Sequence, residues 1–209
     1  MSKFLDKVLV PWTASRVERV EGNEYLPRVG PALIVPNHIS YFDPIILYGY
    51  LAKLTGRKTH FLSLTAYWKF PGANTIARWI QPAFLDKRRP AAALDIMKRF
   101  LERGEMCAIY PEGSRNPGPE LLKGKTGAAR LALWTHVPVI PAGIIGPATR
   151  SATVAWKKFL LNEKFRIRFG KPLDFSPYHN QPITKDLLYS ATRVIMKAVG
   201  SLCEKSYLF

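Results

Sequence analysis

In ALIVPNHISYFDPIILYGYLAKL, residues 32–54, the hydrophobic pattern changes period once. ALIVPN (32–37) is a short apolar run of the kind a fully buried strand presents. DPIILYGYLAKL (43–54) reads as a helix, with Asp43 as a natural N-cap and Pro44 at the first helical position, where proline is best tolerated. Strand, turn and helix in succession is the unit from which α/β layer proteins are built. Between the halves stand His38, one of four histidines in the chain, and Asp43 five positions later.

The alternation continues outward. Further strand candidates are THFLSL (59–64), PAFLD (82–86), MCAIYP (106–111), VPVIPAGII (137–145) and KFRIRFG (164–170). The two prolines of VPVIPAGII limit its pairing, so it reads as an edge strand or a pocket wall. Helix candidates are AAALDIMKRFLERG (91–104) and KTGAARLALWTH (125–136). The first puts Leu94, Met97, Phe100 and Leu101 on one face, and Gly104 ends it. A last helix runs from Thr184 onward, with Leu187, Leu188, Ala191, Ile195, Ala198, Val199 and Leu202 at helical spacing. The expected fold class is α/β, in a single domain.

The 209 residues, 47% hydrophobic, suffice for one full core, and no repeat or low-complexity tract interrupts them. The charge is lopsided: 31 Lys and Arg against 15 Asp and Glu, a net of +16. Such an excess attracts polyanions: nucleic acid, an anionic bilayer surface or phosphorylated substrates. Two cysteines, Cys107 and Cys203, without metal-ligand spacing point to a reducing compartment. No run reads as a membrane span or a signal peptide, so a cytosolic protein, or one on the cytosolic face of a membrane, is expected. Residues 1–19 form an amphipathic segment ahead of the domain at 20–209. Phe4, Leu5, Val8, Leu9 and Trp12 make its apolar stripe, which suits a membrane interface and the domain's own core equally well.

A histidine steered by a carboxylate can take the proton of a substrate hydroxyl. His38 and Asp43 can meet if the first ends a strand and the second opens a helix, although the spacing alone also fits a buried histidine beside a helix cap. AFLDKRRP (83–90) sets three cations after a strand-like run, a place where open α/β sheets bind ligands and where a phosphate ester would fit. A solvated basic corner would look the same. In IYPEGSRNPG (109–118), Glu112 could bind a hydroxyl while the N–H groups of Gly113 and Ser114 face an oxyanion, and Arg115 adds charge. A plain turn is the competing reading. Gly118 and Gly124 enclose five residues where a P-loop needs four, and no nucleophile elbow, zinc helix or dinucleotide fingerprint is present.

Taken in order, NHISYFD, FLDKRR, YPEGSR and VPVIPA resemble the four sequence blocks of the glycerolipid acyltransferase family, which includes the 1-acylglycerol-3-phosphate (lysophosphatidic acid) acyltransferases. The resemblance covers roughly residues 20 to 170. It implies a mixed β-sheet flanked by helices. It puts a catalytic pair at His38 and Asp43 and a phosphate-binding block at Phe84 through Arg88, Lys87 included. Its acceptor-binding block falls on Glu112 and Gly113, followed by Ser114 and Arg115. It also implies an acyl-thioester donor (acyl-CoA or acyl carrier protein), a lysophospholipid or glycerol phosphate acceptor, no metal or redox cofactor, and work at an anionic membrane surface. Lys87 stands where the family usually has arginine, Pro82 where it has glycine, and Ser114 where it has threonine. A basic nucleic-acid-binding module would leave NHISYFD and PEGSR without a role; a hydrolase would use the same pair on water.

Overall fold

The computed structural model describes residues 2–64, 82–86, 88, 90–179 and 181–209. Its centre is β2 (Ala32–Pro36), in which all five residues are buried. β2 pairs in parallel with β5 (Met106–Ala108) on one side and with β6 (Val139–Ile145) on the other. The full sheet has seven strands, ordered β1-β7-β6-β2-β5-β3-β4. Here β1 is Val17–Glu21, β3 Thr59–Leu64, β4 Ala83–Leu85 and β7 Phe165–Phe169. β6 and β7 pair antiparallel, and every other neighbouring pair is parallel.

Alternation along β2 divides the core in two. Ala32 and Ile34 point to a cluster containing Ile46, Leu47 and Leu51 of α2 (Asp43–Thr55) and Ala155 and Phe159 of α5 (Ala152–Leu160). Leu33 and Val35 point to the opposite cluster. That side holds Met97 and Leu101 of α3 (Pro90–Glu102), Leu131 of α4 (Gly127–Thr135), and Leu188, Ile195 and Val199 of α6 (Lys185–Cys203). A strand buried on both faces needs apolar residues at every position, which is why ALIVP has no alternation of its own. The layered mixed α/β fold is the expected one.

α1 (Ser2–Ala14) lies against α2. Thr13 is buried, and a Cβ on Gly49 would fall 1.8 Å from its Oγ1, so only glycine at 49 lets the helices cross this closely. Of the N-terminal stripe, Leu9 packs on the domain's core, as does Val10 beside it, while Val8 and Trp12 stay exposed and the Phe4 and Leu5 side chains lie outside what is described.

One expectation changes, and two elements are added to those expected. β6 is an interior strand, because Pro138 precedes it and Pro141, its one proline, turns its nitrogen away from β2. The Pro141 carbonyl accepts from Gly170 on the β7 side, so its nitrogen faces that side too, beyond the last β6–β7 pair at Ala142 and Phe169. β1, sequence VERVE, was hidden by its charges; it is an edge strand with most side chains at least partly in water. α5 was also missed, since nine residues with Thr, Val, Trp and Phe carry little helix propensity. Its start is set by Ser151, whose hydroxyl caps Val154 N–H.

Candidate active site

The parallel strands end on one edge of the sheet, and the sequence-selected groups all follow those ends. His38 comes two residues after β2. Its Nδ1 lies 2.8 Å from Asp43 Oδ2. Asp43 is not the N-cap expected of it: Phe42 holds that position without a side-chain bond, and Asp43 is the first helical residue. The carboxylate turns back instead, and Oδ2 accepts from Ile39 N–H at 2.6 Å and Ser40 N–H at 2.8 Å. One oxygen therefore fixes the 38–43 turn and the imidazole together. A carboxylate at Nδ1 holds the tautomer that carries its hydrogen there, which leaves the Nε2 lone pair for a substrate proton. The Asp43 side chain is fully buried and that of His38 is 18% exposed, so the ring alone meets the outside.

The ring has a second support. Tyr110 stacks on it with centroids 4.2 Å apart and planes 25° from parallel. Burial, and after it the Asp43 charge, push the Tyr110 phenol well above its ordinary pKa. Its hydroxyl is buried with no hydrogen-bond partner among the described residues.

Glu112 departs from the hydroxyl-binding role expected of it. It is 3% exposed and both its oxygens are engaged inside the protein. Oε1 accepts from His38 N–H at 3.0 Å; Oε2 accepts from Asn116 Nδ2 at 2.9 Å and Leu122 N–H at 3.0 Å. Asn116 N–H in turn donates to the His38 carbonyl at 2.6 Å. The histidine's peptide groups are thus clamped from both sides by the 112–116 loop. Gly113 N–H donates to the Tyr110 carbonyl at 3.1 Å, so this amide closes a turn and does not face an oxyanion. Gly113 itself has φ +67°, and a Cβ there would meet the Lys125 side chain at 2.6 Å.

Cations border this centre. Arg115 lies over the Tyr41 ring, 4.3 Å from its centroid, and Ser114 beside it is exposed. Lys125, which no motif singled out, rests against Gly113 just before the amino end of α4. Its signal was the Lys-rich GKTG stretch, discounted once a P-loop was ruled out. Arg88 is exposed after β4, where its N–H donates to Asp86 Oδ1 at 2.9 Å, and Phe84 on β4 is 40% exposed. β4 is three strands from β2, about 14 Å across the sheet from the histidine's strand. Lys87 lies outside the described residues. His136 and His179 meet edge to face at the opposite edge of the sheet, where α4 hands over to β6.

The site is thus a buried carboxylate held against an imidazole at the carboxyl edge of a layered α/β sheet. Residues 18–145 match the Acyltransferase family, and the chain belongs to it. Similar curated proteins include the human 1-acyl-sn-glycerol-3-phosphate acyltransferase alpha, 31% identical over 60% of this chain and 44% of that protein. The 1-acyl-sn-glycerol-3-phosphate acyltransferase of Borreliella burgdorferi is 28% identical over 62% of this chain and 52% of its own length. The chain thus spans about half the length of these relatives. Its fold is that of the crystal structure of the 1-acyl-sn-glycerophosphate (LPA) acyltransferase PlsC from Thermotoga maritima, with TM-score 0.70 and 22% identity over 100% of this chain and 83% of that one.

Proposed function

We propose that the protein is an O-acyltransferase moving a fatty acyl group from an acyl thioester to the free hydroxyl of 1-acylglycerol-3-phosphate, at the cytosolic face of a membrane. One observation carries the reading: a buried carboxylate oxygen shared between the His38 ring and the turn that presents it. The neutral imidazole takes the hydroxyl proton at Nε2 as the acceptor oxygen bonds to the thioester carbonyl carbon. Asp43 stabilises the imidazolium. The tetrahedral centre then expels the thiolate, which leaves with the proton from Nε2, so the free thiol and the ester are the products and the base is restored. General-base help of this kind contributes about 10²–10⁴ in rate. No acyl-enzyme is needed.

Arg115 and Lys125, at the border of the same centre, supply charge for the acceptor phosphate, with Arg88 at the further end of the edge. Glu112 positions: it holds the His38 peptide. The names of the relatives support lysophosphatidic acid as the acceptor, and the +16 charge supports an anionic carrier and an anionic surface.

The test is transfer of a labelled acyl group from acyl-CoA or acyl carrier protein to lysophosphatidic acid, glycerol 3-phosphate or a neutral lysolipid. Lysophosphatidic acid is the expected preference, and His38→Ala is expected to slow transfer about 10²–10⁴-fold with the fold intact. Unchanged transfer by that variant overturns the mechanism; free fatty acid as the sole product makes the protein a hydrolase.

A further inference from the structure

Helix α5 buries Ala155 and Phe159 but turns its next face outward. Trp156 is 52% exposed, Leu160 72% and the following Leu161 65%. Across from it, α1 leaves Val8 50% and Trp12 41% exposed. The two helices share one band, because the Trp12 ring packs edge-on against Phe159 at 4.8 Å, and Phe159 in turn meets Trp156. Two exposed tryptophans braced on one buried phenylalanine, with exposed Leu160 and Leu161 on the same helix end, are more than scattered surface residues explain.

Its border is cationic. Residues 152–164 carry Lys157, Lys158 and Lys164 against Glu163 alone. The Arg16 guanidinium lies over Phe159 at 4.7 Å and Trp12 at 5.8 Å, keeping its charge at the edge of the rings. We propose that this α1–α5 face is a membrane-docking surface seated in the interface of an anionic phospholipid bilayer. Trp12 and Trp156 take headgroup depth, Leu160 and Leu161 reach below, and the exposed Lys157 meets lipid phosphates, while Lys158 pairs with Glu163 at 3.6 Å and Lys164 Nζ donates to the Ser15 carbonyl.

Charge and continuity both favour a bilayer over a protein partner. Tryptophan is amphipathic and settles at lipid–water interfaces, and lysines bordering an apolar face draw it to anionic leaflets. The band also runs into the site. Phe42, the residue before Asp43, stacks on Phe159 at 4.4 Å and meets Trp156 edge-on at 4.8 Å. The segment leading into α5 is tied to the same edge, since Thr149 N–H donates to the Ile39 carbonyl and Arg150 Nε to the Arg115 carbonyl. A lipid acceptor held in the bilayer would lie one aromatic layer from the histidine turn. That delivery role rests on the proposed acyl transfer; the docking does not.

The experiment is sedimentation of the full chain with vesicles of phosphatidylcholine alone or mixed with phosphatidylglycerol. The wild type is expected to bind the anionic vesicles preferentially. Leu160→Ser with Leu161→Ser, both on exposed side chains, is expected to weaken that binding about tenfold or more without shifting the melting temperature. Lys157→Glu is expected to reduce the preference for anionic over neutral vesicles. Wild-type vesicle binding by the leucine double variant overturns the proposal, as does a dimer that the same variant converts to monomer. Acyl transfer to a short-chain, water-dispersed acceptor is measured in parallel. Vesicle binding without any transfer overturns the reaction alone, and transfer without binding by this face overturns the docking alone.

Discussion

Two ends of one sheet edge are built in opposite ways. At the β2 end, the side-chain oxygens of Glu112 and the shared oxygen of Asp43 accept from backbone N–H groups, and the imidazole between them is stacked on Tyr110. At the β4 end, Phe84 on a three-residue edge strand and Arg88 beyond it stand exposed. The difference follows from what each end is proposed to do. Proton transfer fails if the base is misplaced by a fraction of an ångström, so its position is over-determined. Capture of an anion needs charge near the right place, which solvated cations provide without a rigid frame.

Asp43→Asn tests the rigid end most severely. The amide oxygen can keep the Oδ2 bonds only by placing its NH2 group where the buried Oδ1, without a hydrogen-bond partner among the described residues, now lies, and the charge that stabilises the imidazolium is lost. Turnover is expected to fall about 100-fold or more and stability by about 2–3 kcal/mol, read by steady-state kinetics and urea unfolding. A variant with wild-type stability and rate would show that the turn holds itself.

Glu112→Gln separates support from substrate contact. The new NH2 group must meet the Asn116 amide donor or one of the backbone donors, so a loss of about 1–3 kcal/mol is expected, with a fall in kcat and an unchanged KM for the acceptor. A rise in KM at unchanged stability would restore the acceptor-binding role that the family resemblance implies. Arg88→Ala is the counterpart at the soft end. KM for a phosphate-bearing acceptor is expected to rise about 3–10-fold, with kcat and melting temperature unchanged. Should Arg88→Ala instead unfold the protein, the contrast between the two ends is lost.

The smallest effect concerns alkaline pH. Burial, then the Glu105 charge, raise the Cys107 thiol; burial chiefly pushes Cys203 up to about 11; Tyr110 is raised as described. In the unfolded chain the cysteines ionise from about pH 8.5 and tyrosine from about pH 10. Between those values and the folded ones the unfolded state releases protons that the folded state keeps, so stability falls as pH rises. The expected outcome is a melting temperature that declines from pH 9 upward, and less steeply in Cys203→Ala. A flat profile to pH 11 would show these groups to be better solvated than their burial indicates.

Sequence reading found the strand–turn–helix at 32–54 because a doubly buried strand and a following helix leave different periods in the chain. It also placed His38 and Asp43 on either side of one turn. It could not see that Asp43 abandons the capping position, since a cap and a backward-turned carboxylate share one local sequence. Glu112 was legible as a motif residue but not as a clamp on a peptide group 74 residues away. β1 and α5 were silent because both draw their stability from neighbours, β1 from β7 and α5 from Phe42 and Trp12.

Local pattern alone, then, determined the class of fold, the order of most of its elements and the pairing of His38 with Asp43 across one turn, because periodicity and turn residues act over a few positions. Tertiary structure decided which carboxylate steers the imidazole and which merely holds its backbone, where Lys125 and the α5 tryptophan stand, and that a proline-bearing strand belongs inside the sheet. Those facts depend on where distant hydrogen-bond partners arrive, and no short stretch of sequence contains both halves of such a bond.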